Sequence, residues 1–518
     1  MKNNSNNDRW VVSVDLPMPS LKDNTADVDR LVRTLEQKLE ITGITADLEL
    51  MRVIPDMLRR WGYSARCVLF SDGVHTTLTG LLDPAPDDIA MGLAVDLGTT
   101  RIVTRLIDLE SAKTAGETSF ENPQTAIGDD ILTRIHHASS TEGLEQLHGM
   151  IIGGLNNAIR DLCAQAGTDS KNIHAIAVAG NTTMTHLLLK LPPGWIIREP
   201  YIPAVNRPGM VKAEALGINA NPMARVFLFP NVGSYFGGDL VSGILFSGMH
   251  RLKDTAILVD VGTNAEVVLG NRDWLVACAG AAGPALEGGV AQIGSKAGPG
   301  VIDTIFIDPK TKKINFDTIG HKPPLGICGS ALLDLIAQLF LNGFIDIRGK
   351  LVPEKLREKF EQTDGIPQMV VVPAEQSGTG MPLRLTQPDI DNIIRSKAAM
   401  YTILDTITSS VGLGMDDITT FFVAGTFGSM INPKSAISIG MLPDLPLTRF
   451  KVLGNSSLEG ASLMLSSRAP SKEIGSIQSR ITYLELNVNQ EFMNRFSAAK
   501  FLPHTDRSLF PSVPVPEQ

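Results

Sequence analysis

Apolar and polar positions fall in blocks along this chain, and two of the blocks nearly repeat each other. Residues 92–109 read GLAVDLGTTRIVTRLIDL and residues 256–269 read AILVDVGTNAEVVL. Each is an apolar run, then Asp-x-Gly-Thr, a polar residue and a second apolar run, which predicts a β-hairpin with a tight glycine turn. Upstream, WVVSVDLP predicts a strand. Val28, Leu31, Val32, Leu35 and Leu39 recur at helical spacing, DLELMRVIPDMLRRWGY reads as a helical stretch interrupted near Pro55, and CVLF with HTTLTGLLD reads as paired strands. These make residues 9–88 a small α+β domain behind a disordered 1–8, closed by the proline-rich boundary DPAPDD at 83–88.

From residue 90 strands and helices alternate. KNIHAIAVAG (171–180) and ARVFLFP (224–230) predict strands; NTTMTHLLLKL and NVGSYFGGDLVSGILFSGM lead into helices, and GICGSALLDLIAQLFLNG (326–343) is a buried helix with a glycine stop. LTQPDIDNIIRSKAAMYTILDTI (385–407) is a long helix with a capping box, Thr386 with Asp389, and Pro388 in its first turn. ITTFFVAGTFGSM (418–430) is a strand into a glycine-rich turn, and 450–466 reads strand, turn, helix. The expectation is an α/β fold of two lobes over 90–500, each a sheet flanked by helices, with a disordered proline-rich tail at 501–518.

Composition narrows the function classes. Of 518 residues, 43% are hydrophobic and 19% charged, and the net charge of −9 argues against a general nucleic-acid binder and against an anionic membrane surface. No apolar run reaches the length of a membrane span, and the polar start MKNNSNNDRW lacks a signal-peptide core, so a cytoplasmic location is expected. Cys67, Cys163, Cys278 and Cys328 are scattered, without the spacing of a local cluster or zinc site.

The repeated turn carries the chemistry. Glycine lets the backbone approach a phosphate, turn N–H groups and Thr hydroxyls bind its oxygens, and a strand-end carboxylate can hold a divalent metal, usually through water. One Asp-x-Gly-Thr could be a plain turn. Two copies in matching strand contexts suggest two related lobes gripping one nucleotide, with Asp96, Gly98, Thr99 and Thr100 in the first and Asp260, Gly262, Thr263 and Asn264 in the second.

The order of motifs, hairpin then strand–Gly–helix and both again, resembles the actin, Hsp70 and sugar-kinase superfamily, with its ribonuclease H-like ATPase fold. Within it, ENPQTAIGDDILTRI (121–135), AGNTTMTHLLL (179–189), PNVGSYFGGD (230–239), AGPALEGG (282–289), GICGSALLDLI (326–336), AGTFGS (424–429), IGMLPDLP (439–446) and VLGNSSLEGA (452–461) resemble the reductive activators of corrinoid-dependent methyltransferases, in the same order over about residues 9–500. Residues 9–88 look like that family's middle domain, on Pro19-Ser20, Asp23, Asp27 and Arg30-Leu31. The resemblance implies ATP and Mg²⁺ as cofactors, a homodimer, and ATP-driven reduction of the inactive Co(II) corrinoid of a partner protein to Co(I). Typical members also carry a [2Fe–2S] domain. With no C-x4-C-x2-C run here, no iron–sulfur cluster is expected in this chain, and the electrons would come from a separate low-potential donor such as a ferredoxin. Ala331 stands where the family usually has glycine, a matter of local packing. Two alternatives stay open: a non-redox nucleotide switch or chaperone-like module for a corrinoid protein, and a small-molecule kinase. Neither nucleic acid nor membrane is expected as a partner.

On this reading Asp96 and Asp260 are catalytic and metal-holding, and Gln124 and Asp129 position water or metal. Asn181 and Thr182 sit at a strand–helix junction, where they contact the nucleotide or only cap the helix. Gly425, Phe427 and Gly428 in AGTFGS let adenosine approach the backbone. Glu266 shares a strand face with Asn264 and orders water or metal, or is a surface acid. Arg395 and Lys397 reach phosphate or adenine, or are solvated helix charges. His186 reads as a packed or capping histidine.

Overall fold

The computed structural model describes residues 8–85, 87–234, 236–262, 265–280, 291–425, 431–484 and 490–514. They fall into two compact units, Met1–Gly248 with Ser456–Ile481, and Met249–Asn455 with Thr482–Gln518.

The first unit opens with strands β1 (Val11–Asp15), β2 (Ile44–Ala46), β3 (Ser64–Ser71) and β4 (Thr76–Leu82), ordered β1-β3-β4-β2. The helix Asp27–Leu39 buries Leu31, Leu35 and Leu39, as their spacing dictates. Pro55 lies in the first turn of the helix Ile54–Arg60, where its missing N–H removes no helical bond. This small sheet is tied to the rest of the unit by buried polar contacts. Trp10 Nε1–H donates to Met464 O at 2.9 Å, Arg225 pairs with Asp47 at 2.5 Å, and His174 Nδ1 meets Thr79 O at 3.1 Å.

The larger sheet of the unit contains β5 (Met91–Leu97), β6 (Arg101–Asp108), β7 (Thr114–Glu121), β8 (Ile173–Gly180), β9 (Met210–Lys212) and β10 (Arg225–Leu228), ordered β7-β6-β5-β8-β10-β9. β5 is antiparallel to β6 and parallel to β8. It is apolar almost throughout because both faces are covered. Leu93 and Val95 join the core with Leu147, Ile151 and Leu155 of the helix Thr141–Ala166. The helix Ser456–Ser466 also packs against β5 and β8 and lies tightly against the helix Gly238–Ser247. A Cβ on Gly460 would sit 2.3 Å from Ser242 O, so only glycine permits that approach.

The second unit holds β11 (Ala256–Val261), β12 (Ala265–Gly270) and β13 (Leu275–Gly280). A three-stranded sheet follows, of β14 (Val301–Ile307), β15 (Ile314–Thr318) and β16 (Gly326–Ile327), then another of β17 (Phe360–Thr363), β18 (Ile366–Val372) and β19 (Leu383–Thr386). The chain then adds β20 (Thr420–Ala424), β21 (Phe450–Gly454) and β22 (Ile481–Tyr483), giving a main sheet ordered β21-β20-β11-β12-β13-β22. The helix Gln387–Ser410 starts on the expected capping box and buries Ile390, Ile393, Ile403, Leu404 and Ile407. The two main sheets share one topology. An antiparallel three-strand meander continues through two parallel strands, β7-β6-β5-β8-β10 in one and β13-β12-β11-β20-β21 in the other. Among the described residues no helix is long and apolar enough to cross a membrane.

Two expectations about the termini need correction. The proline-rich tail, expected to be disordered from 501, is built through residue 514 and buries Leu502, Phe510 and Val513. Lys397, fully buried, donates from Nζ to Phe501 O and Pro503 O at 2.5 and 2.7 Å, and Ser512 N–H and Oγ–H donate to Asp444 at 2.7 and 2.6 Å. Prolines restrict the free chain and so lower the entropy lost on docking, and composition does not reveal the face the apolar residues dock on. At the other end, Asp8 is placed as well: its carboxylate accepts from Ala469 N–H at 3.1 Å, at the start of the helix Ala469–Arg480. Residues 1–7 and 515–518 lie outside the described residues.

Candidate functional site

The first turn is built by β5 and β6, which stay paired to Leu97 and Ile102 and leave Gly98–Arg101 as the loop. A Cβ on Gly98 would lie 2.2 Å from Arg101 O, so the turn closes only with glycine. Asp96, partly buried, occupies the next-to-last position of β5, with Thr99 and Thr100 partly exposed beyond it. Asn122, fully buried, holds the turn from behind. Its Nδ2 donates to Gly98 O at 2.9 Å, its backbone N–H to Thr100 O at 2.8 Å, and its Oδ1 accepts from Gln124 N–H at 3.0 Å.

Gln124 does not present its amide at the turn. It is fully buried, with Nε2 donating to Leu147 O at 2.9 Å and Oε1 accepting from Arg134 Nη1 at 3.1 Å. Arg134 is buried too, donates from Nε to Gly128 O, and is pushed down to about 10 by desolvation. The NPQ segment therefore buttresses the turn, whereas Asp129 is exposed. Asn122 and Arg134 escaped the sequence reading. The one signal for Asn122 was an Asn-Pro pair directly after a strand.

Asn181 caps the helix, one of the two roles expected of it, and also reaches the first turn. As N-cap of the helix Thr182–Leu188 it accepts from Met184 N–H at 2.9 Å, and its Nδ2 donates to Thr99 Oγ1 at 2.9 Å. Thr182 is buried and donates to Gly233 O. His186 is buried between Thr182 O, at 2.7 Å from Nδ1, and Ala204 N–H, 3.1 Å from Nε2; burial lowers its pKa and keeps it neutral.

In the second unit Asp260 sits at the corresponding position of β11, partly buried, opposite Glu266 on β12 and beside Ala424 on β20. Gly425 adopts φ +88°, and a Cβ there would lie 2.5 Å from Asp260 Oδ1. Backbone conformation and space both demand glycine, because the chain leaving β20 is pressed against the carboxylate. Gly262 begins the turn; Thr263, Asn264, Phe427 and Gly428 lie outside the described residues.

Lys397 is not a solvated charge, since both of its carbonyl partners belong to the C-terminal tail, while Arg395 on the same helix is exposed. The four cysteines are buried singly, and burial pushes Cys67 up to about 12. Among the described residues no three His, Cys, Asp or Glu side chains cluster as a metal cage. Any ion at these turns would rely on one strand-end carboxylate plus water and ligand oxygens, a donor set that suits Mg²⁺.

Comparison with known proteins places these turns in a family. Residues 6–83 match a model described as the RACo linker region, 91–252 the RACo middle region, and 254–514 the C-terminal domain of RACo, the ASKHA domain. The segment 9–88, likened above to a middle domain, thus falls on the linker, and the middle region is the part built around the first hairpin. Corrinoid activation enzyme RamQ of Eubacterium limosum is 29% identical over 474 residues, covering 87% of this chain and 79% of the relative. The [Co(II) methylated amine-specific corrinoid protein] reductase of Methanosarcina barkeri is 23% identical over 440 residues, covering 78% and 75%. A solved reductive activator for corrinoid, iron–sulfur protein superposes with a TM-score of 0.86 at 38% identity, over 99% of this chain and 82% of that one. The chain belongs to the RACo family and has its α/β, two-lobed ASKHA fold, preceded by the small α+β domain.

Proposed function

We propose that this protein reactivates the corrinoid of a partner protein by reducing Co(II) to Co(I) with the help of ATP, in service of a methyltransferase system. The observation that carries the reading is the duplicated Asp-x-Gly-Thr turn, at the same place in two sheets of one topology, in a chain whose relatives are named as corrinoid activators and reductases. The electrons come from a separate low-potential donor such as a ferredoxin, and the working form is a homodimer.

The residues have distinct tasks in this reading. The N–H groups and hydroxyls of Gly98, Thr99 and Thr100 take phosphate oxygens, with Asn181 fixing the Thr99 hydroxyl. Asp96 and Asp260, each at the end of its own strand, are the carboxylates that would hold Mg²⁺ through its water shell, and the ion would neutralise phosphate charge. Positioning of phosphate and charge is most of what such a site must supply. Nucleotide binding helps the reduction only insofar as its affinity differs between the conformations that do and do not activate the corrinoid.

The test is visible absorbance of a Co(II) corrinoid protein with a low-potential chemical reductant, with and without this protein and Mg-ATP. A Co(I) band that needs both protein and ATP supports the proposal. Measurable ATP binding without Co(I) beyond the reductant alone leaves a nucleotide-switch module instead.

A further inference from the structure

A cavity of about 340 Å³ opens on the second unit where three segments of the chain meet. Arg348 comes from the turn that follows the helix Gly329–Leu341. Asp391, Ile394 and Arg395 come from the first half of the helix Gln387–Ser410, and Lys500 and Phe501 from the start of the docked tail. None of the six belongs to either Asp-x-Gly-Thr turn, and the nucleotide reading gives them no joint task.

The backbone around the cavity is fixed. Gly349 adopts φ +73°, and a Cβ on it would lie 1.9 Å from Ile394 Cδ1, so the turn bearing Arg348 is pressed against the helix. Asp346 Oδ1 closes that turn by accepting from Arg348 N–H and Lys350 N–H, both at 2.8 Å. The tail is joined to turn and helix alike: Leu502 N–H donates to Ile347 O at 2.8 Å, and Phe501 O accepts from Lys397. Three long cationic side chains therefore stand on a rigid frame.

Their charges are not balanced inside the cavity. Asp391, the acid among the lining residues, is already held by Lys350 Nζ at 2.9 and 3.0 Å and by Gln387 Nε2 at 2.8 Å. Among the described residues Arg348, Arg395 and Lys500 make no ion pair. The Arg395 guanidinium donates to the neutral Asn392, and the Lys500 ammonium lies over the Phe496 ring, 4.8 Å from its centroid. A concave wall of one sign concentrates counter-ions, and here it occurs in a chain of net charge −9.

We propose that this cavity binds a small phosphate-bearing anion. Arg348, Arg395 and Lys500 take the phosphoryl oxygens, for which the guanidinium fork is suited, and Ile394 and Phe501 offer an apolar wall to the organic part. The site is separate from the nucleotide turns, and the proposal stands independently of the nucleotide reading.

The experiment uses the full chain with two probes, inorganic pyrophosphate and glycerol 3-phosphate. Affinity is read by calorimetry, and the site by acetylation of Lys500, followed by mass spectrometry with and without probe. Probe binding should slow acetylation of Lys500 and leave the exposed Lys113 of the first unit unchanged. Arg395→Ala, checked by thermal melting, is expected to weaken probe binding by about 10–100-fold while ATP affinity stays within about twofold, because a charge-assisted hydrogen bond is lost from one site only. Arg348→Ala should act in the same direction and replaces it if the first variant fails to melt like wild type. Lys500 left unprotected, or protected equally by chloride at the same ionic strength, overturns the proposal. Loss of ATP affinity in parallel with the probe also overturns it, by making the cavity part of the nucleotide site. Wild-type protein that binds the probe at Lys500 but no ATP sinks the nucleotide reading and leaves this one standing.

Discussion

The two hairpins share sequence pattern and sheet topology, yet they are supported in different ways. Behind the first lies a buried polar relay, Gly98 O to Asn122, Asn122 to Gln124, and Gln124 to Arg134, contributed by the 122–134 segment that directly follows β7. Around the second, the strand-end carboxylate is packed by backbone: Gly425, at the end of β20, occupies the space beside Asp260. The insertions differ as well. Residues 122–172 separate meander and parallel strand in the first sheet, and 281–419 do so in the second, with two extra small sheets. A duplicated turn thus fixes the backbone course at each strand end, whereas its surroundings decide how firmly each turn is held.

Replacing the carboxylates should give the largest effect. Asp96→Ala and Asp260→Ala are each expected to lower ATP-dependent Co(I) formation by about 10²–10³-fold, the scale for removing one preorganised electrostatic partner. Retention of activity in one of the two would break the equivalence of the hairpins and assign the chemistry to the other.

The supports should then separate them. Asn122→Ala strips the acceptor from Gln124 N–H and the donor from Gly98 O, and should cost about 1–3 kcal/mol in urea unfolding. Gly425→Ala forces a Cβ into a φ +88° backbone against Asp260 and should cost more than about 1 kcal/mol. Nucleotide affinity should fall along with stability in Gly425→Ala, because its contact is with the carboxylate itself. A Gly425→Ala protein of wild-type stability and affinity would show that the carboxylate moves freely.

Lys397 gives a pH signature confined to the second unit. Burial holds its ammonium pKa well below the usual value, near 10.4 in the unfolded chain. Between the two values the unfolded chain binds a proton that the native state does not, so this group makes stability rise with pH, by at most about 1.4 kcal/mol per unit. Lys397→Met should flatten that rise between pH 7 and 9 in urea midpoints. Identical slopes would mean that the native lysine stays charged. The smallest effect belongs to Arg395→Ala on the exposed face of the same helix, expected within about 0.5 kcal/mol of wild type.

Legibility followed the locality of the interactions. Thr386 and Asp389 form the capping box that their spacing announced, and Gly98 closes the turn that its motif announced, because both involve residues a few positions apart. Gln124 looked like a residue facing a ligand and is instead bonded to Leu147 O and Arg134, partners that periodicity does not reveal. Lys397 looked solvated for the same reason. The long helix Thr141–Ala166 also went unread, although Leu147, Ile151, Leu155, Ile159 and Leu162 form a continuous buried stripe and Gly149, Gly153, Asn156 and Asn157 lie off it.

By itself the sequence determined the two turns, the alternation of strands and helices, the absence of local cysteine clusters, and the family resemblance. These are properties of neighbours along the chain, set by glycine conformation, strand patterning and cap chemistry. Only the tertiary structure decided that Ser456–Ile481 returns to the first unit, that the proline-rich tail docks over Lys397, and that Arg348, Arg395 and Lys500 come to line one cavity. Each depends on surfaces contributed by segments distant in sequence, whose complementarity exists only once both are folded.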